Sequence, residues 1–382
     1  MKYLFFFLLF PFNLYSQINY SRNHDSIGLC QISNKIKADF KIGSFFIPKS
    51  QLVASDSAKI FDIFRKEFNI MAISINMPGI QFKPNHYNFK LTDQLISFSI
   101  RNNLEIWLQP LISDNKHTSK WIVDSSFSPG QLKAIMRNWI QTVLNRYRGK
   151  AKYINVVNEA LLGLDSEGNF IWNTNNNVWM NMGWYQGKYC KFPNYLIQAF
   201  KLAKEIGGVD FKYIYNQWGN ATYNSKMGNA CLKLYQALKK EGIILDGMGI
   251  QLHCAVKNGI LYEQPGGQEV KFDFLSFDDM LNAYTQVGLP VHITEFDIAL
   301  SQHPSSNEIL QQGKYYAEIL KHCIVSKSVK TFKFWGVSDK YSWIRKSVPY
   351  PASPLLYDTL FQPKPALIES KKVLYQILKS KF

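Results

Sequence analysis

The chain has 382 residues, 46% hydrophobic and 19% charged, an ordinary globular balance with room for one large domain or two small ones. The net charge of +16 is scattered without a long basic run or a nucleic-acid-binding motif, which sets nucleic acid aside as a partner and leaves only a weak leaning towards acidic polymers. Five cysteines (Cys30, Cys190, Cys231, Cys254 and Cys323) at wide, irregular spacings, with no CxxC pair, indicate neither a zinc site nor a disulfide framework.

In chain order, "MKYLFFFLLFPFNLYSQ" comes first, with one Lys, an apolar stretch from Tyr3 to Phe12, then small and polar residues. That is too short to span a bilayer and has the layout of a secretory signal, so residues 1–16 are expected to be removed and the protein exported, secreted or periplasmic. Residues 17–38 are polar and read as an irregular leader. From residue 39 onward short apolar runs alternate with helical patterns. The predicted strands are 39–46, 68–75, 104–112, 153–158, 211–216, 247–253, 290–296 and 330–337. Between them the clearest helix begins at "SPGQLKAIMRNWIQTVLNRYRG". Ser128 is the expected N-cap, Pro129 suits the first turn, Gln131 completes a capping box and Gly149 stops the helix. Further helices are predicted over 58–68, 195–207, 230–242, 277–288 and 308–325.

Eight strands alternating with helices predict a single (β/α)8 TIM barrel over 39–382. A doubly wound open sheet is the rival, but no glycine-rich turn follows the first strand. There is no repeat and no low-complexity linker, and the protein is expected to be a monomer without a membrane span. In a barrel, active sites lie at the C-terminal ends of the strands. Strand four ends in Asn158-Glu159, strand six in Gln251-Leu252-His253, strand seven in Thr294-Glu295-Phe296-Asp297, and strand eight runs into "FWGVSDKYSW". Two carboxyls on different strands, surrounded by Asn, Gln, His and Trp, are equipment for breaking a glycosidic bond with no metal or other cofactor. Without that setting His253 would read as a core histidine. Asp297 and Asp339 are expected to be structural, and Trp107, Trp121, Trp139 and Trp172 to pack. For Trp179 and Trp184, in the Asn-rich insertion after strand four, cleft lining and loop packing stay equally open.

The segments "VVNEA", "GIQLH", "VHITEFDI" and "FWGVSDKYSW", followed by "PLLYDTLFQPKPAL", resemble in order the motifs of the family-10 glycoside hydrolases, the endo-β-1,4-xylanases. The resemblance covers roughly residues 40–375. It implies a retaining double displacement on xylan or a related plant or algal polysaccharide, with Glu159 as acid/base and Glu295 as nucleophile. It further implies sugar contacts from Asn158, Asn76, Asn216, Gln251 and His253, with Trp335 and Trp343 walling the cleavage point. The N-terminal half departs from the family pattern. Ile75 stands where the family has Glu, and Gly79 and Ile80 where it has Lys and Trp. Gln109 or Pro110 falls at the first His after strand three, and "NQWG" (216–219) replaces Asn-Asp-Tyr-Asn. A different, substituted or acidic β-glycan therefore stays open as the substrate. A non-catalytic carbohydrate-binding protein is disfavoured by the presence of both glutamates.

Overall fold

The computed structural model describes residues 27–46, 54–223, 225–263, 269–346 and 352–381; the expected signal at 1–16 lies outside them. Eight parallel strands form the centre: β1 (Lys41–Phe46), β2 (Ile70–Ser74), β3 (Glu105–Gln109), β4 (Tyr153–Asn158), β5 (Lys212–Gln217), β6 (Gly247–Ile250), β7 (Val291–Ala299) and β8 (Val329–Phe334). Each pairs with the next in sequence except β8, which returns to β1 with Lys41 opposite Thr331. β6 lies beside β7 with Met248 opposite Val291, so the sheet closes and leaves no edge. Strands buried on both faces must be apolar almost throughout, and all nine residues of β7 are buried. Inside the barrel Phe45, Ile70, Ala72, Trp107, Tyr153 and Ile214 pack together, so Trp107 is core as expected.

The helices that cover the barrel are α1 (Leu29–Ile36), α2 (Ala54–Glu67), α3 (Lys90–Arg101), α4 (Pro129–Tyr147), α5 (Asn194–Gly207), α6 (Lys226–Lys240), α7 (Phe274–Gln286), α8 (Ser306–Val325) and α9 (Pro365–Lys379). α4 starts as its sequence demands. Ser128 Oγ accepts from Gln131 N at 3.3 Å, Gln131 Oε1 accepts from Ser128 N at 2.8 Å, and Gly149 just past the end sits at φ +69°.

Three departures from the sequence-based expectations have physical reasons. Residues 29–36 are a helix rather than irregular: α1 buries Leu29, Ile32 and Ile36, and Leu29 N donates to the buried carboxylate of Glu67 at 2.9 Å. α3 and α9 have ordinary buried faces, on Leu95, Ile96 and Phe98 and on Leu367, Val373 and Leu374, but their starts lack a side-chain cap. The predicted strand 247–253 breaks at Leu252, whose φ is +62°. A second strand then begins at His253 and pairs with the outer half of β7, His253 opposite Asp297. That break lets β7 run on to Ala299, three residues beyond its predicted end.

Candidate active site

β4 delivers Asn158 and Glu159 to the C-terminal mouth. Glu159 leaves the strand at φ +57°, a left-handed conformation that costs a non-glycine residue about 1–3 kcal/mol. Its neighbours hold it there: Glu159 N donates to Asn216 O at 3.0 Å, Asn173 Nδ2 donates to Glu159 O at 3.2 Å, and Ala160 N donates to Tyr215 Oη at 3.1 Å. Gln251 Nε2 donates to the Glu159 carboxyl at 2.7 Å. Desolvation raises the Glu159 pKa above the usual carboxyl range. Hydrogen bonds from Gln251 and Asn158 and the charge of His117 pull the other way, and the nearby charge of Glu295 raises it further. The apolar run thus ends in a carboxyl that is stabilised in its protonated form.

β7 delivers Glu295, whose two oxygens are both engaged. Asn216 Nδ2, at the end of β5, donates to Oε1 at 2.7 Å, and His253 Nε2 lies 3.3 Å from Oε2. Asn216 is the link between the two carboxyls. The same Nδ2 reaches Asn158 Oδ1 at 2.9 Å, and its own Oδ1 accepts from Thr294 Oγ1 at 2.7 Å. The close approach of this amide to β6 depends on Gly249, because a Cβ there would sit 2.2 Å from Asn216 Oδ1. His253 Nδ1 lies 2.9 Å from Asp297 Oδ1. Burial pulls the His253 pKa down, but Asp297 and Glu295 outweigh it and push it up to about 10, so the ring is an imidazolium at neutral pH. Trp343 Nε1 donates to the other Asp297 oxygen at 2.7 Å, and its ring lies 4.9 Å from that of His253. Trp335 stacks on Phe45 at 4.1 Å, with the His253 ring 6.3 Å away.

Asn158, Glu159, Asn216, Gln251, His253, Glu295, Trp335 and Trp343 therefore come together. Asn76 does not join their hydrogen-bond network among the described residues. It lies two residues beyond β2, its side-chain oxygen is buried without a partner, and it lines a groove with Asn88 and Lys90. Ile75 is fully buried, and Gly79 and Ile80 belong to a short helix, Met77–Ile80. Trp179 is packing: it is fully buried and donates to Thr118 Oγ1 at 3.0 Å. Trp184 is half-exposed on a different groove. Asp339 braces the loop after β8, accepting from Leu355 N at 2.7 Å and from Lys364 Nζ at 2.9 Å.

Asn155, Thr294 and Lys333 belong to the site although their sequence context assigned them no role. Asn155 Nδ2 donates to Asn158 Oδ1 at 3.1 Å. Lys333 is fully buried with its ammonium 3.4 Å from the Trp107 ring centre, and burial holds its pKa well below the usual lysine range despite the attraction of Glu295. Little in the sequence signals this lysine, because the same strand also carries Lys330 and Thr331. On the loop after β3, His117 Nδ1 lies 2.8 Å from Asp114 Oδ1. Burial lowers the His117 pKa, but the hydrogen bond and charge of Asp114 outweigh it, with help from Glu159 and Glu295, so the net shift is upward.

A closed (β/α)8 barrel with two linked carboxyls at its C-terminal mouth, one stabilised with its proton, defines a glycoside hydrolase. The sequence profile of glycosyl hydrolase family 10 matches residues 31–372, and the chain belongs to that family of enzymes, which hydrolyse O-glycosyl bonds. It is 27% identical over 329 residues to endo-1,4-beta-xylanase B of Thermotoga neapolitana, covering 85% of this chain and 86% of that protein. It is 28% identical to endo-1,4-beta-xylanase 2 of Aureobasidium pullulans, covering 83% and 82% of the two chains. The crystal structure of native xylanase 10B from Thermotoga maritima superposes with a TM-score of 0.78 at 26% identity, covering 93% of this chain and all of that one. Xylanase 10B from Thermotoga petrophila, in complex with xylobiose, superposes at 0.77 with 25% identity over 92% of this chain and 98% of that one.

Proposed function

We propose that this protein is an exported, monomeric, retaining endo-β-1,4-xylanase-like hydrolase. Glu159 protonates the glycosidic oxygen while the Glu295 carboxylate attacks the anomeric carbon, breaking its bond to the leaving sugar and forming a glycosyl-enzyme ester. Glu159, now ionised, takes a proton from water as that water attacks the same carbon, releasing Glu295 and restoring the acid. Asn158 hydrogen-bonds the sugar 2-hydroxyl, Asn216 and the His253 imidazolium hold the Glu295 carboxylate, Gln251 orients Glu159, and Trp335 and Trp343 wall the sugar. The observation that carries this reading is the Asn158–Asn216 bridge, which ties the Glu159 loop to Glu295 through hydrogen bonds of 2.9 and 2.7 Å. The likeness to proteins named xylanases, one of them bound to xylobiose, supports the substrate class. The apolar opening of the sequence supports export.

The test is product analysis on xylan with the anomer followed by proton NMR. Release of β-anomeric xylo-oligosaccharides is expected. α-anomers would remove Glu295 from the nucleophile's role.

A second reading, the same mechanism on a substituted or acidic β-glycan, is favoured by one observation. Ile75, Gly79 and Ile80 offer no hydrogen-bonding side chain beyond β2. A polysaccharide panel that shows turnover of an acidic glycan and little of plain xylan would select it.

A further inference from the structure

The insertion between β4 and α5 builds a groove of about 650 Å³ on the flank of the barrel, against α6. Its two hairpins, Leu161–Leu164 with Phe170–Trp172 and Trp184–Gln186 with Lys191–Pro193, lie along most of that helix. Gly163 faces Lys226, Lys233 Nζ donates to Gly168 O at 2.6 Å, and Tyr189 faces Lys240 at the far end. From Lys226 to Lys240 a helix advances about 21 Å.

Four rings line the groove. Phe170 and Trp172 form its floor, 5.1 Å apart, and Trp184 and Tyr189 stand on its rim. The rim rings are the unusual feature, because Trp184 is 48% and Tyr189 58% exposed, which leaves about half of each ring in water. Lys191, Lys233 and Lys240 also line the groove, and neither Lys191 nor Lys240 pairs with a carboxylate among the described residues. Lys240 Nζ sits 4.7 Å from the Tyr189 ring centre. The nearby acids are engaged by the hairpins' own amides. Glu241 accepts from Lys188 N at 2.6 Å, and Asp165 accepts from Glu167 N at 2.9 Å and Asn169 N at 2.8 Å.

We propose that this groove is a second carbohydrate-binding site, separate from the catalytic mouth, for a glycan bearing carboxylate groups. The exposed rings offer flat faces to the C–H faces of sugar rings, and the lysines attract uronic-acid carboxylates. The insertion is also anchored to the catalytic loop, because Asn173, directly after the first hairpin, bonds Glu159 O. A chain held in the groove is thereby kept close to the enzyme that cleaves it, which raises its local concentration at the mouth. The inference rests on the reading of the chain as a polysaccharide hydrolase.

The experiment uses the full-length chain with Glu295→Ala to stop turnover, and measures retardation in gels containing glucuronic-acid-substituted xylan or unsubstituted xylan. Trp184→Ala/Tyr189→Ala is expected to weaken binding to the acidic polymer at least fivefold. Lys191→Ala/Lys240→Ala is expected to reduce the preference for the acidic polymer and its sensitivity to salt to the part that the catalytic mouth retains. In the active background both double variants should keep the kcat/KM of the parent on a short aryl xyloside. Unchanged retardation by acidic xylan in both double variants would overturn the proposal. So would a dimer-to-monomer shift on light scattering caused by the Trp184/Tyr189 changes, since the groove would then belong to a second copy. If the active parent hydrolyses no xylan, the functional reading fails, while the difference in retardation still decides the groove.

Discussion

Gln251 Nε2 donates to Glu159 Oε1 across 2.7 Å, and this bond favours the ionised form of a carboxyl whose pKa is raised by burial and by the charge of Glu295. A general acid works only while it holds its proton, so activity falls as pH rises through its pKa. Gln251→Ala removes a stabiliser of the anion and lets the pKa rise further. The alkaline limb of the kcat/KM profile is expected to move to higher pH while kcat/KM at its optimum drops about tenfold from poorer orientation. An alkaline limb that stays in place would detach Gln251 from the proton of Glu159.

The two carboxyls have separable signatures. Glu295→Ala is expected to abolish turnover on every substrate, since no ester can form. Glu159→Ala should lose far less on an aryl glycoside with a very good leaving group than on xylan, because such a group leaves with little proton donation. Added azide should partly rescue Glu159→Ala by replacing the water that then lacks a base. Equal losses in both variants on the activated substrate would count against Glu159 as the acid.

The division of roles between the two glutamates was implied only by the family resemblance. That both stand at one mouth was legible in the sequence, because each lies at or near the end of a predicted apolar strand and barrel geometry turns strand ends into neighbours. Asn216, Gln251 and His253 were legible for the same reason. What the sequence hid was tertiary. Nothing in "GMG" announces that Gly249 makes room for the Asn216 amide, and no local rule puts His117 near two carboxylates 42 and 178 residues further on. Helix α1 hid because its polar flanks mask three buried apolar side chains and one long-range hydrogen bond.

That hydrogen bond predicts a stability effect. Glu67 is fully buried, accepts from Leu29 N at 2.9 Å, and pairs with Lys371 Nζ at 2.8 Å in α9. Lys371→Ala removes the close, buried cation and leaves only the half-exposed Lys66 Nζ at 3.9 Å, and it is expected to cost about 3 kcal/mol in urea unfolding. Truncation to residue 38 removes the Leu29 donor and the α1 face together and should lower Tm as well. A truncated chain with the Tm of the parent would make α1 an appendage.

His253 gives a pH-dependent effect whose sign follows from its raised pKa. A histidine that binds its proton more tightly when folded stabilises the protein fully below its unfolded pKa of about 6.5 and loses that contribution as pH rises towards about 10. The stability deficit of His253→Gln is therefore expected to be largest near pH 6, about 1.5–3 kcal/mol for charged hydrogen bonds, and to shrink steadily above it. Chemical denaturation at pH 6, 8 and 10 measures this. A deficit that grows with pH would mean that the ring is neutral between Asp297 and Glu295.

The last prediction concerns the substrate. Ile75 is buried, and Gly79 and Ile80 lie in a short helix where neither residue has a side chain able to bond a sugar hydroxyl. Each missing charged or bidentate bond is worth roughly 1.5–3 kcal/mol, and such remote bonds also help to position and distort the sugar at the cut. Plain linear xylan should therefore be cleaved poorly for a family member, in kcat as well as KM. Replacement donors are available on the loop after β3, where Asp114 raises the pKa of His117 and so favours its cationic form. A cation there suits a carboxylate on a substituted sugar, and the interaction should weaken with salt. The expected result is a higher kcat/KM on glucuronic-acid-bearing xylan than on the linear polymer, a ratio that narrows at high salt and collapses in His117→Ala. Asp114→Ala should narrow it less, because it removes the partner that favours the charge rather than the charge itself. Full activity on linear xylan, indifferent to both substitutions and to salt, would show that other groups in the cleft hold the sugar in place of side chains beyond β2.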